Sequence, residues 1–322
     1  MTASQKNHRP ENLLGRTIAQ YRVERIVGRG GMGTVYEAVE PTLDRKVALK
    51  VLSLEASTDR ESVDRFKREA KVLARIEHPN VVQIYQMGRV GSVIFIAQEF
   101  VEGTDYETIV EDSGPLDLGA ALEVLDAVAS ALQAVHDVGV IHRDLKPSNV
   151  MRRLDGRVKV LDFGIAKPIA RNLGPDITRA GMFLGTLGYC SPEQIRGEKL
   201  SVRSDLYSLG VMFYYFLTGE VPGKGAETEE MVQATLAGRL IPIRQRRADL
   251  ADPVARLVEE MIHRDASRRP ESTAVVRARI AEIREFLAAT PAAVESASPP
   301  RARGIRRLLR GLFRRRAGRA RL

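Results

Sequence analysis

A single cysteine, Cys190, stands among 322 residues, which excludes an intramolecular disulfide and a cysteine metal cluster and fits a reducing cytoplasm. Lone cysteines are mostly small buried hydrophobes, so Cys190 is expected in a core and not at a redox site. The N-terminus, MTASQKNHRP, lacks the apolar stretch of a secretory signal. The longest apolar run, Val211 to Leu217, falls far short of a bilayer span, so no membrane-crossing helix is expected. No internal repeat is visible. A basic excess is also missing from most of the chain. The net charge is +9, but residues 291–322 hold ten arginines against one acid, Glu295; that tail carries the whole excess, and the first 290 residues balance to zero. A nucleic-acid-binding domain keeps its basic excess on its folded part. Here a neutral folded part is joined to a separate arginine tail.

What is present divides into two halves. Residues 1–15 are polar and read as disordered. From Tyr21 to Phe100 the pattern is strand, glycine-rich turn, strand, strand, helix, strand, strand: YRVERIV, TVYEAVE and KVALKVL, then a helix from Asp59 to Glu77, then VVQIYQM and VIFIAQEF. After Gly114 helices dominate: Leu118–His136, Ser204–Thr218, Glu227–Leu236, Pro253–His263 and Thr273–Leu287. This order implies an α+β fold. Residues 288–300, rich in small residues and proline, form a linker, and 301–322 the basic tail.

Gly28-Arg29-Gly30-Gly31-Met32-Gly33 is a G-x-G-x-x-G run. A dinucleotide fold needs a helix after this motif, whereas TVYEAVE is β-branched and aromatic. A strand–glycine loop–strand hairpin instead covers phosphates with bare backbone amides. Val47-Ala48-Leu49-Lys50 lies on the next strand. In the helix that follows, Val63, Phe66, Ala70, Leu73 and Ile76 form one apolar arc, and Glu69 falls inside it. A carboxylate on a buried face is costly unless paired; Lys50 is the expected partner, and the pair would hold the lysine toward α- and β-phosphates.

The most specific segment is His142-Arg143-Asp144-Leu145-Lys146-Pro147-Ser148-Asn149, followed by Asp162-Phe163-Gly164. Asp155-Gly156 between VMRRL and RVKVLDF reads as a two-residue hairpin turn. Leu154 then faces Arg157, and the same register sets Asn149 opposite Asp162, with Cα atoms about 5 Å apart. Two oxygen ligands meeting there would suit Mg²⁺ bridging phosphates.

These motifs resemble the protein kinase family, specifically the bacterial eukaryotic-type serine/threonine kinases, over about residues 16–287. The resemblance implies a two-lobed kinase fold: a small β-rich N-lobe (16–100) with one key helix, a larger mainly helical C-lobe (101–287), and ATP between them with Mg²⁺ or Mn²⁺. It implies roles. Asp144 would accept the proton of a substrate hydroxyl or orient that hydroxyl, Lys146 would contact the γ-phosphate, and Asn149 and Asp162 would hold the metal. Val27, Gly28, Gly30, Gly31, Gly33, Val35, Ala48 and Lys50 would surround the nucleotide, with the Glu99 carbonyl and Val101 amide meeting the adenine. Thr186 would bond Asp144, Glu193 would pair with Arg269, and Asp205 would prop the catalytic-loop backbone. The usual A-P-E is Ser191-Pro192-Glu193 here, and Gln98 stands at the back-pocket position where a larger apolar residue is common. Arg143 calls for an anionic partner in an active state, and Thr178, eight residues before Thr186, is the expected phosphate donor to it. A pseudokinase would lack one of Lys50, Glu69, Asp144, Asn149 or Asp162; none is lacking. A small-molecule kinase has no need of GTLGYCSPE, Asp205 and Arg269, so protein substrates are expected.

In the tail, Ile305, Leu308, Leu309, Leu312 and Phe313 fall in an arc of roughly 140° on a helical wheel, with Arg306, Arg307, Arg310, Arg314 and Arg315 outside it. Such a helix lies in an anionic membrane surface, which would place a cytoplasmic enzyme peripherally at the inner face of the membrane; a solvated, disordered tail is the alternative reading. Arginine tails also bind nucleic acid, but that use does not require five apolar residues on one face.

Overall fold

In GTVYEAVE every second residue (Thr34, Tyr36, Ala38, Glu40) is buried, the period-two signature of a strand. The computed structural model describes residues 13–30, 33–52, 63, 67, 70–163, 187–223 and 228–290. Strands β1 (Thr17–Ile18), β2 (Tyr21–Gly30), β3 (Gly33–Glu40), β4 (Arg45–Leu52), β5 (Ile84–Val90) and β6 (Val93–Glu99) form one antiparallel sheet in the order β1-β2-β3-β4-β6-β5. One face packs Tyr21, Tyr36, Val47, Leu49 and Phe95 into a small core, where Tyr21 meets Phe95 edge-on. Val35 is paired with Lys50, and Lys50 with Ile96, so the opposite face presents Val35, Ala48, Lys50 and Ile96 together.

Three expected boundaries move in the N-terminal half. Leu13 is buried in the small core, and the Gly15 amide donates to the Val23 carbonyl, so 13–15 belong to the fold and not to the disordered segment. The strand expected at Val81 begins at Ile84. Val81 and Val82 serve instead as a tie to the other lobe: Val82 N–H donates to the Val160 carbonyl at 3.1 Å, and Val160 N–H to the Asn80 carbonyl at 2.8 Å. In the helix expected over 59–77, residues 70–73 are helical and the chain turns at 74–75; Ala70, Leu73 and Ile76 are buried as expected.

The C-terminal half is built around one helix. It comprises α1 (Tyr106–Ser113), α2 (Leu118–His136), α3 (Pro192–Arg196), α4 (Val202–Thr218), α5 (Thr228–Ala237), α6 (Ile243–Arg246), α7 (Asp252–Met261) and α8 (Thr273–Ala289), with a small sheet β7 (Gly103–Asp105), β8 (Val150–Arg153), β9 (Val158–Val160). Helix α4 is buried from Ser204 to Leu217, as its all-round apolar sequence requires. It begins two residues before the expected Ser204 because Ser201 and Ser204 form a reciprocal capping box. At Gly210 a Cβ would sit 2.6 Å from Met261 Cβ, so glycine is what lets α7 lie against α4. Helix α2 has the expected bounds. By length and composition it could cross a membrane, but Leu122, Leu125, Val128 and Leu132 are buried in the C-lobe core. Helix α8 runs to Ala289, two residues into the expected linker.

Candidate active site

The segment carrying Asp144 is held from below by one buried carboxylate. Asp205, in the first turn of α4, accepts from the His142 amide at 2.8 Å and the Arg143 amide at 3.0 Å. Its Oδ2 also accepts from His136 Nε2 at 2.7 Å. These bonds keep Arg143 at a positive φ of 65°, a strained turn for a residue with a Cβ. Gln194 on α3 donates to the Arg143 carbonyl at 2.9 Å. His136 was not legible in the sequence, because its partner lies 69 residues away.

His142 is fully buried and tilts against Phe163, ring centroids 4.7 Å apart. Its Nδ1 accepts from the Asp144 amide at 3.3 Å, so its Nε2 carries the proton and donates to the Leu161 carbonyl at 3.1 Å. Burial pushes its pKa down against the opposing charges of Asp205 and Asp144, which keeps the ring neutral. Both His142 and Phe163 are thus packing elements, as expected.

Above this support the polar groups converge. Asn149 Nδ2 donates to the Asp144 carbonyl at 2.8 Å and lies 3.4 Å from Asp144 Oδ2. Lys146 Nζ is 3.8 Å from Asp144 Oδ2. Lys50 Nζ reaches across the cleft to Asp162 Oδ1 at 2.7 Å. Burial raises the Asp162 pKa, but the Lys50 charge and hydrogen bond, with Lys146, outweigh it and leave the carboxyl below its ordinary value. Glu69, the partner expected for Lys50, lies outside the described residues, as do Gly31, Thr178, Thr186 and the tail.

The strand register differs by one residue from the one expected to set Asn149 opposite Asp162. The ladder pairs Val150 with Val160 and Arg152 with Val158, and the Arg153 amide donates to the Arg157 carbonyl at 2.8 Å. A two-residue type I′ turn needs positive φ at both positions. Only Gly156 has it, at 84°, so Leu154, Asp155 and Gly156 form a three-residue loop. Asn149 therefore faces Leu161, whose amide donates to the Asn149 carbonyl at 2.8 Å, and Asp162 follows it with a positive φ of 46°. The two residues remain neighbours through chain continuity, not through pairing.

The glycine loop shows what it is shaped for. A Cβ on Gly33 would collide with the Val51 carbonyl, so the fold itself requires that glycine. At Gly28 and Gly30 a Cβ would meet no protein atom within 4 Å. Among the described residues nothing requires glycine there, whereas a phosphate lying on bare amides does. An irregularity between Ile26 and Gly28 takes Val27 out of the ladder and leaves it 49% exposed. Ala48 and Val101 are buried, and Glu99 ends β6.

Further along, Glu193 and Arg269 form the expected pair with two bonds, 2.7 and 2.9 Å. Ser191, standing where the family has alanine, caps α3 in a capping box with Gln194, an interaction typically worth about 1 kcal/mol over alanine. Cys190 is buried with Leu187 and Ile195.

A family model described as "Protein kinase domain" matches residues 21–280. The chain belongs to the protein kinase family. The kinase domain is 40% identical over 279 residues to the serine/threonine-protein kinase pkn3 of Myxococcus xanthus, covering 84% of this chain and 51% of pkn3. The chain thus spans about half the length of that relative. The crystal structure of the Mycobacterium tuberculosis PknI kinase domain superposes with a TM-score of 0.68 at 28% identity, covering 85% of this chain and 98% of that one. The structure of Rad53 in complex with AMP-PNP gives 0.66 at 26% identity, covering 79% and 63%. The chain is therefore a protein kinase domain of the two-lobed fold, similar to bacterial eukaryotic-type serine/threonine kinases, and its family uses ATP and Mg²⁺. The residues fit both groups. Mg²⁺ is commonly bound by one or two carboxylates plus substrate phosphates, and an Asp162 held ionised beside Asn149 is such a donor set. Among the described residues no three His, Cys, Asp or Glu converge as a self-sufficient metal cage.

Proposed function

We propose that the protein transfers the γ-phosphate of ATP to serine or threonine in protein substrates, with the roles that follow. Asp144, on the strained turn above Asp205, orients the substrate hydroxyl and takes its proton. Lys146 contacts the γ-phosphate, and Thr186 bonds Asp144. Lys50 holds the α- and β-phosphates, supported by Asp162 and Glu69. Mg²⁺, held by Asn149 and Asp162, supplies charge neutralisation across the phosphates when bound. The observation that carries this reading is the meeting of Lys50 with Asp162 across the lobes, and of Lys146 and Asn149 with Asp144. The test is transfer to a serine- and threonine-containing peptide library by wild type beside Asp144→Asn.

Regulation is proposed at Thr178. Phosphorylated there, the segment between Asp162 and Glu193 would give Arg143 a dianionic partner. Intact-mass measurement and peptide mapping after incubation with Mg-ATP should find phosphate on Thr178, and Thr178→Ala should lower activity. Fully active enzyme with an unmodified Thr178 overturns this.

The tail is proposed to hold a cytoplasmic enzyme at an anionic membrane surface, each arginine contributing on the order of 1 kcal/mol. Flotation on anionic vesicles should carry the full chain and leave behind a truncation ending after Ala289, where α8 stops. Equal flotation of both, or of neither, removes the idea; retention of the full chain by nucleic acid in place of vesicles would favour the other use of an arginine tail.

A further inference from the structure

The Glu99 side chain makes contacts that its hinge role does not need. That role uses only its carbonyl. Its carboxylate, 15% exposed, instead spans the lobe boundary: Oε1 accepts from Arg153 Nη1 on β8 at 2.7 Å, and Oε2 from Lys159 Nζ on β9 at 2.8 Å. The Gln83 amide also donates to Oε2 at 3.3 Å, while the Glu99 amide donates to the Gln83 carbonyl at 2.8 Å. Lys159 is itself 12% exposed and donates to the Val81 carbonyl at 3.0 Å, beside the Val82–Val160 tie. Arg153 is shared with Asp155 at 3.3 Å, and Asp155 also pairs with Arg157 at 2.7 Å, so the cluster sets three cations against two carboxylates.

The positions of the partners give the cluster its meaning. Strand β8 starts at Val150, next to Asn149, and β9 ends at Val160, two residues before Asp162. One carboxylate on the hinge residue is thus bonded to both strands that carry the proposed metal ligands. The hinge strand β6 and the proposed metal ligands belong to different lobes, and the Glu99 carboxylate bonds across the boundary between them.

We infer that the Glu99 carboxylate, with Arg153 and Lys159, is an inter-lobe latch that presets the cleft for nucleotide and thereby positions ATP without touching it. The inference rests on the proposed reading of the cleft as the ATP site. A preset cleft binds without the cost of ordering two lobes. Loosening it removes binding that ground state and transition state share, which raises KM and leaves kcat nearly unchanged.

The experiment is steady-state kinetics with calorimetric titration of Mg-ADP on the full chain, for wild type, Glu99→Gln, Lys159→Met and the double variant. Glu99→Gln keeps the shape and the hinge backbone and removes the charge. The expected result is an increase of about tenfold in KM for ATP and in Kd for Mg-ADP, with kcat within about threefold. Lys159→Met should reproduce most of it, and the double variant should be no worse than Glu99→Gln, because both substitutions break the same pair. A merely structural role would lower the melting temperature and the active fraction and leave KM unchanged. Unchanged KM in Glu99→Gln, additive losses in the double variant, or a rise in kcat would each overturn the latch. Failure of wild type to bind Mg-ADP or transfer phosphate would instead overturn the reading of the cleft, so the two failures are distinguishable.

Discussion

Lys50→Met, Asp144→Asn and Asp162→Ala should each lower phosphotransfer by about two orders of magnitude or more, the scale of losing a preorganised electrostatic partner in the transition state. The fold should survive all three. Lys50 and Asp162 are 18% and 32% exposed, so water screens whichever charge is left alone. Asn at 144 preserves the side-chain size and leaves untouched the backbone carbonyl that accepts from Asn149 Nδ2. The strained turn beneath it is held by Asp205 through the amides of His142 and Arg143, which none of the substitutions alters. Melting temperatures close to wild type, with turnover lost, is the expected pair of measurements. Near-wild-type turnover in any one purified variant would sink the mechanism.

The fold was legible where local sequence decides. Period-two burial in β3 and the all-round apolar α4 announce themselves, and α2 lies between the bounds read from its pattern. The site was legible because its chemistry clusters in a few short motifs. Elsewhere the reading failed for identifiable physical reasons. Asp155-Gly156 carries a two-residue turn signature, but Asp155 does not enter the left-handed region, and the loop takes in Leu154 as well. Val81 and Val82 have strand-forming side chains, yet the Val82 amide donates to the Val160 carbonyl and the Val81 carbonyl accepts from Lys159, both across the lobe boundary. Propensity reports that they are extended and is silent about which lobe they pair with. His136 and the Glu99 carboxylate were invisible as functional groups because their partners lie 69, 54 and 60 residues away. Ser191 is the opposite case: Ser-Pro-Glu-Gln is a capping-box sequence, and the departure from alanine carries its own explanation.

Arg269→Met should be the most destabilising single change outside the hydrophobic core. Every donor of this side chain is used. Its two terminal nitrogens reach the Glu193 carboxylate at 2.7 and 2.9 Å, and it also donates to the carbonyls of His263, Arg203 and Arg264. The guanidinium carbon sits 4.9 Å from the Tyr207 ring centroid. The side chain is 0% exposed and that of Glu193 is 11% exposed. Removing the arginine leaves a buried carboxylate and three carbonyls without their donor. Breaking a buried pair from one side costs about 3–5 kcal/mol, and each kcal/mol moves the melting temperature of a domain this large by roughly 2–4 °C. A fall on the order of 10 °C is therefore expected in a thermal melt, with a smaller one for Glu193→Gln, whose amide oxygen still accepts. The pH dependence has a definite sign. Burial raises the Glu193 pKa, but the Arg269 hydrogen bond and charge, with Ser204, outweigh it and leave the folded value below the ordinary 4.5. A group depressed on folding contributes stability that is fully present above its unfolded pKa and is lost as pH falls through the folded one. The gap in melting temperature between wild type and Arg269→Met should thus be widest at neutral pH and narrow below about 4.5, as Glu193 takes up a proton in both proteins. A gap that stays constant across that range, or a fall of less than about 2 °C at neutral pH, would show that the pair does not hold the segment after the catalytic loop in place.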